Sequence, residues 1–356
     1  MISNLQKKSQ AGFSLFEMMV VLILLMVIMS AVFSLLRGTI KTSNSNYEMT
    51  SATQGLRNSQ EYLNRDILTL GDGAKNTTNI LIPTSFVTNY LTSRTAAEVD
   101  SSNQGFVSSG VIISDNDVPA NKNVPGTNPA TTVSAGTDRI SFLTEDKTFL
   151  PVQIAPEDVN VNNATINVPA AVIGNFQVGE IYFISNGITG TFGVITRINT
   201  GAKTVRMESG DSIGINQPGN NGTLWTVRSG DMPMSLMRVQ LINYFVNAEQ
   251  LLVRRVFGVA GSTFVDNVVA EHITKLQFRY TLRPESGTEI LNQPVNNFDL
   301  GDATLVRMIE PFVEVETAYA LQDGNKQKIS GVTQLGVRNL QFTEAAVPQD
   351  RFGNTH

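Results

Sequence analysis

The sequence predicts an α+β fold: a long N-terminal helix, with a transmembrane half and an amphipathic half, carries a large β-rich globular head. Three observations support this fold. Residues 13–36 are almost entirely apolar, residues 37–70 repeat apolar side chains at helical spacing, and residues 71–356 break into short strand-like runs separated by turns.

The apolar run from Phe13 to Leu36 contains one charged residue, Glu17. As a helix it extends roughly 36 Å, which is enough to cross a bilayer core of about 30 Å. Lys7 and Lys8 precede the run, and this basic leader favours a cytoplasmic N-terminus. Arg37 on the far side weakens that asymmetry.

Three interpretations of the apolar run compete. A secretory signal peptide has a shorter apolar core and a small-x-small cleavage site, which Met29-Ser30-Ala31 matches poorly. A plain transmembrane anchor fits the length but leaves Glu17 unexplained, because an unpaired charge in lipid costs about 2.5–3.5 kcal/mol. The third interpretation is an assembling helix in which the carboxylate finds a partner.

The polar segment after Arg37 remains compatible with a helix to about Leu70. Its apolar positions recur at spacings of three, four and seven residues, which indicates an amphipathic stripe. They are Met49, Ala52, Leu56, Leu63, Ile67 and Leu70. Small and β-branched residues predict an irregular stretch at 39–46, and Gly71-Asp72-Gly73 predicts the end of the helix.

Beyond residue 71, short apolar runs bounded by Gly, Asn, Asp or Pro predict strands. The runs lie at 111–113, 139–143, 180–184, 193–196, 204–207, 236–245, 250–256, 275–280, 305–315 and 332–342. The loop 247–250 predicts a hairpin between two of them. Residues 115–136 and 283–303 are predicted loops, and residues 150–235 have the character of an extra β module.

The composition argues against several classes of function. The formal net charge is −5 and no stretch forms a basic stripe, so nucleic acid is not an expected partner. Without cysteine, the chain forms neither disulfides nor thiolate metal sites. It has no Walker A sequence, and His272, in an apparent strand, is the one histidine besides the terminal His356. We therefore expect neither an enzyme nor a cofactor.

Two further groups of residues have both a structural and a functional interpretation. Asp72, Asp115, Asp117 and Asp211 offer loop oxygens to calcium, but they lack the dense spacing of a calcium loop, so turn capping is favoured. The aromatic residues are Tyr182, Phe192 and Trp225. They are compatible with a ligand surface, although packing in the core or at a sheet edge is the favoured role.

The segment KKSQAGFSLFEMMVVLILL resembles the N-terminal signal of type IV prepilins and pseudopilins. The matching elements are the basic leader at Lys7 and Lys8, then Gly12, the apolar residue Phe13, and Glu17. The resemblance implies that prepilin peptidase cuts between Gly12 and Phe13 and then N-methylates Phe13. It also implies that Glu17 neutralises the new α-amino group of an adjacent subunit and sets the register between subunits.

This resemblance implies a leader (1–12), a transmembrane half-helix (13–36), an amphipathic half-helix (37–70) and a head (71–356). The precursor would lie in the inner membrane, with its N-terminus cytoplasmic and its head periplasmic. After assembly, the subunit would be part of a pilus at the cell surface.

Several later segments resemble PilW-type minor pilins. They are Leu56–Gly71, Gly110–Asp117, Gly136–Phe142, Val178–Ser185, Val269–Phe278 and Gly336–Asn339. The lack of cysteine, and Thr69-Leu70 before Gly71, depart from that pattern. The resemblance implies a scarce subunit, at or near the filament tip, that starts pilus assembly with other minor pilins, the major pilin and an inner-membrane platform.

Two alternatives to the PilW-type role stay open. Leu56–Gly71 is also similar to GspJ-type minor pseudopilins of type II secretion. A pilus-tip adhesin would use residues 150–235 as its contacting module.

Overall fold

The computed structural model describes residues 12, 14–74, 77, 79–109, 112–116, 118, 133–217, 223–228, 232–282, 290–294 and 306–337. These form two compact units. One contains the chain up to Ser51 together with Thr317–Gln327, and the other contains Ala52–Glu316 and the chain from Lys328 onward. A long helix and many strands confirm the α+β class.

The N-terminal helix α1 runs without interruption from Leu15 to Leu68. It ends two residues before the predicted limit, where the Thr69 and Leu70 N–H groups close a final turn onto the carbonyls of Asp66 and Ile67 at 3.1 Å each. The irregularity predicted at 39–46 is wrong. The threonines of that stretch stay within the helix by donating their hydroxyls to carbonyls one turn earlier, as Thr42 does to Gly38 at 3.0 Å.

The first unit pairs the N-terminal part of α1 with the segment Thr317–Gln327. The Tyr319 N–H donates to the Glu48 carboxylate at 3.2 Å, and the Gln322 amide donates to the Thr42 hydroxyl at 2.8 Å. This segment connects two strands of the second unit and is absent from the predicted elements, because its polar sequence carries no periodic pattern.

The second unit contains nineteen described strands and three short helices. The strands are β1 (Asn79–Pro83), β2 (Phe106–Ser109), β3 (Ile112–Asp115), β4 (Arg139–Glu145), β5 (Val152–Ile154), β6 (Val159–Asn160), β7 (Thr165–Asn167), β8 (Ile181–Ser185), β9 (Thr189–Val194), β10 (Arg197–Asn199), β11 (Thr204–Arg206), β12 (Met234–Val246), β13 (Leu252–Phe257), β14 (Phe264–Ala270), β15 (Ile273–Leu282), β16 (Ile290–Pro294), β17 (Val306–Glu316), β18 (Lys328–Val332) and β19 (Leu335–Gly336). The helices are α2 (Thr84–Phe86), α3 (Ala96–Val99) and α4 (Thr223–Arg228), with a π turn at Val87–Leu91 and 3₁₀ turns at Pro156–Asp158 and Ile173–Asn175.

The described strands form three sheets. A ten-stranded sheet has the order β14-β13-β12-β8-β9-β1-β2, with β4 and β5 also on β12 and β3 on β4. A four-stranded sheet has the order β10-β11-β7-β6, and a five-stranded sheet has the order β16-β15-β17-β18 with β19 on β17. The segment 150–235 is divided between the sheets, since β8 and β9 lie in the large sheet.

The predicted hairpin at 247–250 is confirmed. Strands β12 and β13 pair antiparallel from Leu241 opposite Phe257 to Val246 opposite Leu252. The loop is closed by the Asn247 N–H, which donates to the Leu251 carbonyl at 3.0 Å, and Gln250 adopts a φ of 61°. Of the run predicted at 332–342, residues beyond 337 lie outside the described part.

Strand β8 shows why several runs are continuously apolar. Ile181 and Phe183 belong to one core cluster, whereas Tyr182 and Ile184 belong to another. Successive side chains of a strand point to opposite faces, so both faces of the large sheet are covered here.

The C-terminal part of α1 packs on the sheets of the second unit. Ala52, Leu56, Leu63 and Ile67 are buried, and they share one cluster with side chains of β12, β15 and β17. The predicted amphipathic stripe is therefore confirmed from residue 52 onward, and it is what attaches the helix to the β-rich region.

Asp66 adds a polar anchor to this apolar contact. The Tyr244 hydroxyl donates to its carboxylate at 2.7 Å, Arg254 Nε also donates to it, and exposed Arg65 donates at 3.2 Å. Burial, and then the charge of Asp66, raise the pKa of the Tyr244 hydroxyl. Burial alone would lower the pKa of Arg254, but the hydrogen bond to Asp66 and the charge of Asp66, together with Tyr244, raise it overall. One buried carboxylate thus joins the last turn of α1 to β12 and β13.

We expect Asp66→Ala to lower the free energy of unfolding by about 3–5 kcal/mol, because it leaves the largely buried Arg254 guanidinium and the buried Tyr244 hydroxyl without their acceptor. Urea unfolding of the detergent-solubilised chain, followed by circular dichroism, measures the loss. The control is Arg65→Ala, which removes the exposed partner of the same carboxylate and should cost less than about 1 kcal/mol. Equal losses in both variants would contradict the anchor.

Candidate processing and assembly site

The N-terminus of α1 is closed by a reciprocal pair of hydrogen bonds between Ser14 and Glu17. The Ser14 N–H donates to Glu17 Oε2 at 3.0 Å, and the Glu17 N–H donates to Ser14 Oγ at 3.2 Å. This arrangement is a capping box, with Ser14 before the first helical residue and Glu17 at its third position. A carboxylate at this end also faces the positive end of the helix dipole.

Gly12 lies two residues before this cap and is exposed. A Cβ built on it would meet no atom within 4 Å, so there is open space at its own position. Phe13, Lys7 and Lys8 lie outside the described residues. The structure thus brings Ser14 and Glu17 together and leaves Gly12 accessible beside them.

The helix that follows is apolar around its whole circumference. Leu15 is 81% exposed, Phe33 67% and Leu35 73%, and the large apolar side chains between them are exposed as well. α1 is long and apolar enough to cross a membrane. A helix that is hydrophobic on every side needs an apolar environment such as lipid or other helices.

Residues 7–33 match the family model described as the prokaryotic N-terminal methylation motif. No curated protein matches the chain. The matched segment contains the basic leader, Gly12, Phe13 and Glu17. It is a type IV pilin-like prepilin signal, and with the exposed apolar helix it fits a membrane-anchored pilin or pseudopilin.

A signal of this kind implies processing by prepilin peptidase and association with pilus components. It indicates a structural subunit rather than an enzyme. The motif spans a small part of the chain, so the particular role depends on the residues that follow.

The described candidate calcium aspartates, Asp72, Asp115 and Asp211, are each engaged by other partners. Asp72 pairs with Lys147 at 3.0 Å, and Asp211 accepts the Ile215 and Asn216 N–H groups at 2.9 Å each. Asp115 is buried and accepts hydrogen bonds from the Thr92 hydroxyl at 2.5 Å and the Ser93 N–H at 2.6 Å. Asp117 lies outside the described residues, among which no cluster of three metal-ligating His, Cys, Asp or Glu side chains occurs.

The placement of His272 in a strand is wrong. It lies between β14 and β15 with a φ of 58°, and its carbonyl accepts the Glu316 N–H at 2.9 Å. His356 lies outside the described residues. The left-handed conformation explains why the strand pattern breaks at His272, since a non-glycine residue adopts it mainly in turns.

Of the aromatic candidates, Tyr182 and Phe192 do not share a surface. Tyr182 and Phe192 are buried in different core clusters. The Tyr182 hydroxyl donates to Glu180 at 2.5 Å, and the Phe192 ring lies 5.5 Å from that of Phe183. The side chain of Trp225 lies outside the described part of the structure. Packing, the favoured interpretation, is the role that the structure gives to Tyr182 and Phe192.

Three residues that cap or anchor α1 are missing from the sequence prediction. The Ser-x-x-Glu spacing of Ser14 and Glu17 is itself a capping-box pattern and could have identified Ser14. Tyr244 and Arg254 carry no such signal, because their contact with Asp66 depends on the pairing of distant segments.

We expect Ser14→Ala to loosen the start of α1, because the Glu17 N–H loses its acceptor. A lost N-cap costs about 1 kcal/mol, equivalent to roughly fivefold faster local opening. Hydrogen exchange of the Glu17 amide in detergent micelles measures the change. Ser14→Thr keeps the hydroxyl and should exchange like the parent; if Ser14→Ala also exchanged like the parent, the cap would be energetically irrelevant.

Proposed function

We propose that this chain is a PilW-type minor pilin, a scarce structural subunit that helps to start type IV pilus assembly at or near the filament tip. The observation that carries the proposal is the prepilin signal joined, through one helix, to a β-rich region of three sheets. A fibre built from many copies needs a compact head, whereas a large and elaborated head suits a subunit present once or a few times.

The later segments that resemble PilW-type pilins support this assignment through their contacts. Within Gly136–Phe142, the Asp138 carboxylate accepts the Phe278 N–H at 2.7 Å, and the Asp138 N–H donates to the Leu276 carbonyl at 2.8 Å. Both partners, Phe278 and Leu276, lie in Val269–Phe278, another segment that resembles PilW-type pilins. Two of the resembling segments therefore belong to one hydrogen-bonded feature.

Processing would occur at the Gly12–Phe13 peptide bond. The bond is hydrolysed on the cytoplasmic side, the leader with Lys7 and Lys8 departs, and Phe13 carries the new amino group that is then methylated. The absence of a side chain on Gly12 lets the peptidase reach the backbone at the membrane surface.

Glu17 would then pair with the Phe13 amino group of a neighbouring subunit. A carboxylate accepts about four hydrogen bonds, and the Ser14 N–H takes one of these positions on Oε2. Glu17 therefore keeps acceptor capacity for an incoming amine while it caps its own helix. Two opposite charges desolvated together cost far less than a lone charge in lipid.

For the processing site, we expect Gly12→Leu to block cleavage and Gly12→Ala to be cleaved partially, because the peptidase must reach an unobstructed backbone. Mass spectrometry of the membrane-extracted protein distinguishes the precursor from the mature, methylated form. Gly38→Ala, in the exposed part of α1 with open space around the new Cβ, is the matched control and should be processed fully. Normal cleavage of Gly12→Leu would contradict the assigned bond.

For the cellular role, we expect deletion of the gene to reduce surface pili severalfold while the cellular level of the major pilin is unchanged. Complementation with Glu17→Gln should restore a processed protein but not the pili, because the neutral amide cannot offset the amino group. Electron microscopy counts the pili and immunoblotting follows processing; Glu61→Gln, an exposed carboxylate further along α1, is the control and should restore both.

Normal piliation in the deletion strain would reject the PilW-type role. If secretion of exported enzymes failed instead, the GspJ-type role would replace it. If pilus number stayed normal and only surface adherence fell, the tip-adhesin role would be favoured.

A further inference from the structure

The segment Thr317–Gln327 is a hairpin tip that runs along α1 toward its apolar half. Tyr319 contacts Glu48, and three residues later Gln322 contacts Thr42. Those two helix positions are separated by about 9 Å along the axis at 1.5 Å per residue. The segment thus advances toward the N-terminus of α1 as it leaves β17.

Internal hydrogen bonds hold this tip in shape. At its base the Thr317 N–H donates to the Gln327 carbonyl at 2.9 Å, and the Gln327 N–H donates to the Thr317 hydroxyl at 3.1 Å. At its end the Leu321 N–H donates to the Asn325 carbonyl at 2.8 Å, and Gly324 takes a φ of 83° to make the turn. The tip is therefore a formed element that can present its side chains to a surface.

The position of Thr42 along α1 places the tip at the level of a bilayer surface. The apolar run ends at Leu36, and Ile40 is the next large apolar side chain, 54% exposed. Thr42 is about 9 Å beyond Leu36 and about 3 Å beyond Ile40. The polar layer of a bilayer extends roughly 5–7 Å beyond each side of the hydrocarbon core. With the exposed Ile40 as the last apolar side chain of the span, Gln322, which contacts Thr42, falls at headgroup depth; a span that ended at Leu36 would leave it just outside that layer.

The chemistry of the tip suits phospholipid headgroups. A cavity of about 480 Å³ lies between this part of α1 and the tip, and Lys41, Tyr47, Tyr319 and Gln322 are among the residues that line it. The lysine ammonium can bind phosphate, and the two tyrosines, each 73% exposed, have the apolar body and polar end that favour a membrane–water interface.

The acidic groups nearby are already engaged by backbone donors. The Glu48 carboxylate accepts the Tyr319 N–H, and the Asp323 carboxylate accepts the Asn325 N–H at 3.0 Å. These bonds hold both carboxylates to the folded tip. Lys41 and Glu48 both line the cavity, and Lys41, which lies nearer the apolar run of α1, is its cationic group.

We propose that the hairpin tip Thr317–Gln327, together with Lys41 and Tyr47, binds the phosphate headgroups of the bilayer that α1 spans. The contact fixes the depth at which α1 sits before assembly. The inference rests on the membrane-anchored role and adds a second lipid contact, separate in sequence from the apolar helix.

The chain has no cysteine, so single labels can be introduced without background. The full-length protein is reconstituted in nanodiscs of phosphatidylethanolamine and phosphatidylglycerol, with one spin label at Asn325→Cys. Ser34→Cys in the apolar run and Ser43→Cys beyond it calibrate depth, and Asn162→Cys in an exposed turn is the aqueous reference. Relative accessibility to oxygen and to a water-soluble nickel complex measures the depth of each label.

We expect the Asn325 label to report headgroup depth, between the Ser34 and Asn162 values, and to broaden the ³¹P resonance of the lipid. Lys41→Gln should shift the Asn325 label toward the Asn162 value, whereas Arg57→Gln, an exposed charge further along α1, should leave it unchanged.

An aqueous Asn325 label, together with a Ser34 label at hydrocarbon depth, overturns this inference alone. A water-accessible Ser34 label overturns the membrane-anchored role and this inference with it. Spin–spin broadening at Asn325 without an effect on lipid phosphorus also overturns the proposed lipid contact. That result would indicate contact between two copies of the chain.

Discussion

The constraint that governs this protein is the apolar surface around the first half of α1. Side chains from Leu15 to Ile40 are exposed in the isolated chain, and only lipid or neighbouring helices can remove them from water. At about 25 cal/mol per Å² of apolar surface, that removal is the largest free-energy term available to this segment. Membrane insertion and filament assembly are two ways of satisfying the same requirement.

The single carboxylate in this segment is compatible with both environments. Glu17 caps its own helix through Ser14 and retains acceptor capacity. A capped carboxylate meets part of its hydrogen-bonding need before any partner arrives, which lowers the cost of holding the precursor in the membrane. Its remaining charge still favours a cationic neighbour, and in the proposed assembly the amino group released by processing would provide one.

The β-rich region is attached to α1 by burial and by one polar anchor. The stripe from Ala52 to Ile67 supplies the apolar contact, which is not directional, and Asp66 supplies specific geometry through Tyr244 and Arg254. Strand β12 is central to this arrangement, because its residues contribute to four separate core clusters.

The sequence by itself determined the α+β class, the extent of α1 to within two residues, the amphipathic stripe and the hairpin after Val246, because these depend on local periodicity and turn chemistry. It also identified the prepilin signal, whose residues are contiguous. Only the tertiary structure decided that Asp66 meets Arg254, that both faces of β8 are buried, and that Thr317–Gln327 lies along α1. Those contacts join residues far apart in the chain, and no local pattern encodes which distant segments pair.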